Sequence, residues 1–363
     1  MRHPALIVLL LFFCLFGSFA FAGTTWYVNG VNGSDSNNCL SSAAACKTIG
    51  HALSLSISGD AILVAAAIYK ENLVIDKNVS IFGSGTSSTM VDGGGVGTVI
   101  TTPSATAHVT LSKITIRNGF GPGGNGLGGG GGIANIGTLT INKSTVSGNT
   151  ARGMPGQGGG VLNRGTLTVN ASTFVGNVVF GAFAAGFGGA IFNYGTLRMN
   201  NSTVSGNKAS GMGGGINNAG TLALNNTTIN GNSSIYGPNG SGGLTGSAEA
   251  TLQNTIIANN SRGNCSGYLS SQGYNLSSDS TCNLHGPGDM NSIDPLLGPL
   301  QNNGGPTSTQ ALLPGSPAID AGNPSGCTDG QGHLLKTDQR GYPRADAEDA
   351  SGCDIGAFER QSD

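Results

Sequence analysis

The chain has 363 residues, of which 64 are glycine, 37% are hydrophobic and only 9% are charged, with a formal net charge of −2 at pH 7. Glycine at this level can mark a disordered chain, but disorder also needs low hydrophobicity or high charge, and neither holds here. The near-neutral balance gives no reason to expect nucleic acid or an anionic membrane as partner.

Residues 1–22 read as a signal peptide. Arg2 and His3 precede an apolar run over 5–16, and Ala20-Phe21-Ala22 has the small-x-small pattern of a cleavage site. That run is shorter than the roughly 20 residues that span a bilayer, so no transmembrane segment is expected in the mature chain. Cleavage before Gly23 removes Cys14 and leaves Cys39, Cys46, Cys265, Cys282, Cys327 and Cys353. An even number of cysteines in an exported chain favours disulfides over metal ligation. The six fall into sequence-local couples, so neighbour pairing is expected, the alternative being that some stay reduced. Residues 23–60 are read as an N-terminal cap with a short helix from His51 to Ile57, ahead of opening strands at 61–64, 73–75 and 79–81.

An internal repeat organises the middle of the chain. Four copies open with Gly-Thr-Leu at Gly137, Gly165, Gly195 and Gly220, and eleven residues later each carries Gly-Asn, at 148–149, 176–177, 206–207 and 231–232. The copies stand 28, 30 and 25 residues apart while their internal spacing is constant, which implies a rigid unit of 19 residues and a loop that tolerates insertion. Asparagine recurs in three columns seven residues apart: Asn135, Asn163, Asn193 and Asn218; Asn142, Asn170, Asn200 and Asn225; Asn149, Asn177, Asn207 and Asn232. Apolar columns run between them, such as Leu139, Leu167, Leu197 and Leu222, followed two residues later by Ile141, Val169, Met199 and Leu224. A period of two is the strand period. Each unit is therefore expected to form three short strands, each closed by an asparagine in a left-handed turn conformation. Stacking the units about 4.8 Å apart would place the apolar columns inside and align the amides as ladders. Coils are expected over 61–265, with further coils and a tail over 266–363.

These residues resemble the pectate-lyase-like superfamily of right-handed parallel β-helices. Gly188-Gly189-Ala190-Ile191 and Phe174-Val175-Gly176-Asn177 resemble paired motifs of polymorphic outer-membrane adhesins. The tail segments Asp294-Pro295-Leu296-Leu297-Gly298-Pro299-Leu300, Ser316-Pro317-Ala318-Ile319-Asp320-Ala321-Gly322 and Cys353-Asp354-Ile355-Gly356-Ala357-Phe358-Glu359 resemble the choice-of-anchor Q domain of bacterial surface proteins. The resemblance implies an all-β solenoid and a secreted or cell-surface location. It implies no catalytic residue, because fold alone does not specify chemistry.

Many proteins of that fold act on polysaccharides, so the acid and base inventory matters. Between Asp92 and Asp279 the only acid is Glu249, which leaves no paired carboxylates for hydrolysis and no calcium cluster on the central coils. Lys113, Arg117, Lys143, Arg152, Arg164, Arg198, Lys208 and Arg262 make the same stretch basic, leaving a metal-free lyase as the enzymatic alternative. The tail acids, including Asp320, Asp338, Asp346, Asp354 and Glu359, are expected to form salt bridges and turn caps that finish the last coil. No catalytic residue, cofactor or metal is assigned. The leading expectation is a non-catalytic adhesion or glycan-binding protein, and a structural envelope or matrix component is a third reading. The insertions 150–158, 178–188, 208–213 and 233–241 should emerge at one corner and present Met154, Phe180, Phe183, Phe187, Met212 and Tyr236 as a ligand-binding patch. The competing expectation is that the phenylalanines fold back over a coil face.

Overall fold

The structure, a computed structural model, describes residues 23–122, 129–235, 240–344 and 352–361. The expected signal peptide, Tyr236 and Asp346 lie outside these residues. The chain forms an all-β, right-handed parallel β-helix. Successive repeats pair in register: Thr138–Asn142 lies beside Thr166–Asn170, and Leu139, Leu167, Leu197 and Leu222 are consecutive partners up the stack. These leucines are 0 to 1% exposed and belong to one continuous core. Burying each side chain contributes about 1.5–3 kcal/mol, which is how the period-two pattern selects the coil.

The left-handed residues are not the asparagines of the three columns, which corrects the expectation drawn from sequence. After the second column the residue that follows takes positive φ, at Lys143, Ala171, Asn201 and Asn226, and before the third column it is Gly148, Gly176, Gly206 and Gly231. The column asparagines turn their side chains along the stack. Asn135 Nδ2 donates to Asn163 Oδ1, Asn163 to Asn193 and Asn193 to Asn218, at 2.7 to 2.8 Å. Asn149, Asn177, Asn207 and Asn232 repeat this at 2.9 Å and extend it to Asn260 at 3.0 Å. The ladder of Asn142, Asn170, Asn200 and Asn225 runs the opposite way, each later amide donating to the earlier one at 2.9 to 3.1 Å. An amide is suited to this because it both donates and accepts, so every rung satisfies its neighbours.

Two further features go beyond the three columns. The insertions begin as a fourth short strand stack, in which Phe120–Pro122, Thr150–Gly153, Val178–Gly181, Lys208–Ala209 and Ser233–Ser234 pair in parallel. Ala151, Val179 and Ala209 point inward there as a small buried cluster. The tail, moreover, does not finish the last coil. After the final coil strand, Met290–Asn291, and the antiparallel pair Leu297–Gln301 and Thr309–Leu312, it returns along the outside of the stack. Thr86 donates to Pro306 O, Thr173 to Ser308 O, Asn201 to Thr337 O and Asn226 to Thr328 O.

At the N-terminal end the helix Ile49–Leu55 covers the first rung. Thr48 caps it, and Glu71 accepts from the amides of Ile49 and Gly50 at 2.9 and 2.7 Å. Three disulfides, Cys39–Cys46, Cys265–Cys282 and Cys327–Cys353, each close a sequence-local couple.

Candidate functional site

The asparagine ladders are an internal framework. Asn163, Asn193, Asn177 and Asn207 are fully buried and their amides are consumed by one another and by backbone carbonyls, leaving nothing to offer a ligand. Cys39 and Cys46 lie within ligand distance of His51, but their sulfurs are joined in a disulfide and are not thiolates able to bind a metal. The tail acids are likewise committed. Asp338 binds Arg340 at 2.7 Å and Glu359 binds Arg344 at 2.7 Å, all four side chains being nearly inaccessible.

The insertion side of the stack differs. The strand stack that opens the insertions places Arg152 beside Phe180 on neighbouring rungs, with the guanidinium carbon 5.0 Å from the ring centre. Phe180 is 41% exposed, Met154 62% and Phe183 94%. Phe183 is also held at φ 53° and ψ 38°, a left-handed conformation that costs a bulky residue about 1–2 kcal/mol. A strained, fully exposed aromatic is a costly feature for a fold to keep.

The expected patch is divided. Met154, Phe180 and Phe183 face solvent, whereas Phe187 is half-buried, its ring 6.0 Å from that of Phe192 on the coil, and pairs through its backbone with Met212. Phe187 thus folds back over the coil face.

Next to them stands a group that the repeat analysis did not single out. Phe192 and Tyr194 have ring centres 4.3 Å apart, Gln157 donates to the Tyr194 hydroxyl at 2.9 Å, and Arg164 reaches Gln157 at 3.4 Å with its guanidinium carbon 5.9 Å from the Tyr194 ring. Their signal in sequence was an aromatic on each side of the ladder residue Asn193, at positions that alternation turns outward. Arg152 and Arg164 thus each accompany a different aromatic ring.

Two depressions are found among the described residues, the first of them bordering Arg164. One of about 70 Å³ is lined by Thr101, Pro103, Ala134, Asn135, Ile136, Leu162 and Arg164. A wider, open one of about 440 Å³ near the end of the coils is lined by Glu249, Gly267, Tyr268 and Leu269. The second holds a single carboxylate, where glycoside hydrolysis by acid and base requires two.

No family model matches the chain, and no curated protein matches it. Among solved structures it is similar to the pectate lyase Pel9A, at 15% identity and a TM-score of 0.42 over 93% of this chain and 96% of that one. It is also similar to pectin methylesterase PemA from Erwinia chrysanthemi, at 14% identity and a TM-score of 0.38 over 69% of this chain and 82% of that one. A third likeness is to the GH136 lacto-N-biosidase from Eubacterium ramulus, at 12% identity and a TM-score of 0.43 over 70% of this chain and 56% of that one.

Proposed function

We propose that this chain is an extracellular, non-catalytic β-helix protein that binds polysaccharide or a cell-surface glycan through the aromatic strip on its insertions. The observation that carries this reading is the exposure of Phe183, 94%, together with that of Phe180 on the same insertion, which lies beneath Arg152 of the preceding one. Flat aromatic faces suit the apolar C–H faces of sugar rings, and a guanidinium beside them adds donors for hydroxyl or carboxylate oxygens. Three disulfides fit an oxidising compartment. Exposed apolar side chains gathered in one place are a usual mark of an interaction surface.

The test is a glycan array run with the wild type and with a Phe180→Ser, Phe183→Ser variant, which leaves the coil-covering Phe187 intact. Binding should fall at least tenfold in the variant while its circular dichroism spectrum is unchanged. Full binding by a folded variant would remove the strip as the site. The alternative reading, a polysaccharide lyase, rests on Arg152 and Arg164 as candidate bases. An absorbance assay for unsaturated uronate products on the same glycans decides it, since product formation would overturn the non-catalytic assignment.

A further inference from the structure

We propose that the buried carboxyl cluster of Asp354 and Glu359, set around Arg344 where the tail docks on the coils, is a pH-operated latch that holds the tail closed in acid and loosens it toward neutrality. Arg344 is the tie between the two parts. Its Nε and Nη2 donate to Asn201 Oδ1 of the coil at 3.1 and 2.7 Å, and its Nη1 donates to Glu359 at 2.7 Å. Glu359 also accepts from the Asp354 amide at 3.1 Å, so the two acids share one small buried volume. The Asp354 carboxyl accepts from the amides of Asp320, at 2.9 Å, and Arg360.

Among the described residues, the charged or titratable groups around Asp354 are Glu359, Arg344, Asp320 and Arg360, with the Asp338–Arg340 pair next to Glu359. The coil contributes neutral groups: Asn201, the Thr228 hydroxyl that accepts from the Ala357 amide at 3.1 Å, and Asn254, whose carbonyl accepts from the Gly356 amide at 2.8 Å. Arg344 therefore ties the Glu359 carboxylate and the Asp354 and Gly356 carbonyls of the tail to the Asn201 amide of the coil.

Burial opposes ionisation of Asp354 and the neighbouring Glu359 adds to this, while the two backbone amides and Arg344 offset only part, so its pKa is pushed up to about 7. When the tail opens, the carboxyl meets water and returns to its ordinary value near 3.8. The closed state then binds one more proton than the open state between those two limits. Closure is thus strongest at the acid end and weakens as pH rises, with no further change above about 7. One proton sets the limit at tenfold in the opening equilibrium per pH unit.

Hydrogen exchange read as protection factors, which removes the intrinsic pH dependence of exchange, tests the latch on the full chain between pH 5 and 8. Opening at residues 338–344 and 353–361 should rise by up to about a hundredfold between pH 5 and 7 and then level off, while any amide that exchanges with the tail still docked keeps constant protection. Asp354→Asn should abolish the rise. Glu359→Gln keeps an acceptor for Arg344 and should move the rise to lower pH by removing the neighbouring charge. Constant protection of the wild-type tail across this range overturns the proposal, as does a wild-type slope in Asp354→Asn. Should that variant fail to fold, an unshifted rise in Glu359→Gln overturns it equally.

Discussion

At the scale of single residues, the stack separates positions that sequence treats alike. Asn177 and Asn170 both occupy ladder columns, but Asn177 is fully buried and serves four partners: it accepts from the amide and side chain of Asn149 and donates to Asn207 and Val146 O. Asn177→Ala strands those groups without water and should cost about 2–4 kcal/mol. Asn170→Ala, at a partly exposed position, should cost less than about 1 kcal/mol, because water replaces the lost partners. Urea melts of the two variants check this, and equal losses would mean that burial does not govern the ladders. Leu197→Ala, at a fully buried position, should cost about 2–5 kcal/mol through the cavity it leaves. The glycines divide in the same way. At Gly176 an added Cβ meets nothing within 4 Å, so substitution carries only the left-handed backbone cost, whereas at Gly189 it would stand 2.2 Å from Gly214 O on the next rung.

At the scale of elements, what could be read from sequence was whatever repeats. The apolar columns, the ladders and the registers follow from constant spacing between Gly137 and Asn232, and the cysteine couples from proximity along the chain. The fourth strand stack was not legible as such. Its registers do continue the count, Arg152 and Phe180 each standing three residues after the third asparagine of their unit, but no single residue type recurs through the column to mark a strand. The exposed Phe180 and Phe183 were legible as large apolar residues in an insertion, but the arginine beside Phe180 was not. The returning tail was hidden for a different reason: it has no period, and its docking residues are single polar side chains. Gln339 shows this best. It is fully buried, donates to the Thr173 and Thr307 hydroxyls at 2.8 and 2.9 Å and accepts from Thr203 at 2.6 Å, filling a polar niche on the outer face of the coils. Gln339→Leu leaves three buried hydroxyls short of a partner and should lower stability by about 2–4 kcal/mol, measured by thermal or urea melting. A loss below about 0.5 kcal/mol would mean that the niche opens to water.

At the scale of the whole molecule, the tail changes how the stack should unfold. A solenoid is stabilised by contacts between neighbouring rungs, so an unclasped stack can unravel from one end while the other persists. Here the tail binds rungs far apart in the stack, from Thr86 through Ala171, Asn201 and Asn226 to Asn254, and opening any of them disturbs the clasp that holds the others. The single tryptophan, Trp26, reports on the opposite end, its indole donating to Asp60 at 2.8 Å beside the first rung. Tryptophan fluorescence and far-ultraviolet circular dichroism should therefore give coincident urea transitions in the wild-type chain, as cooperative unfolding requires. A double variant, Gln339→Leu with Arg344→Met, removes the two buried tail side chains that grip Thr203 and Asn201. Its transitions should separate, because the rungs near the tail then melt before those near Trp26. Coincident transitions in the variant at a lower midpoint would show that rung-to-rung pairing alone makes the stack cooperative and that the tail adds stability without coupling.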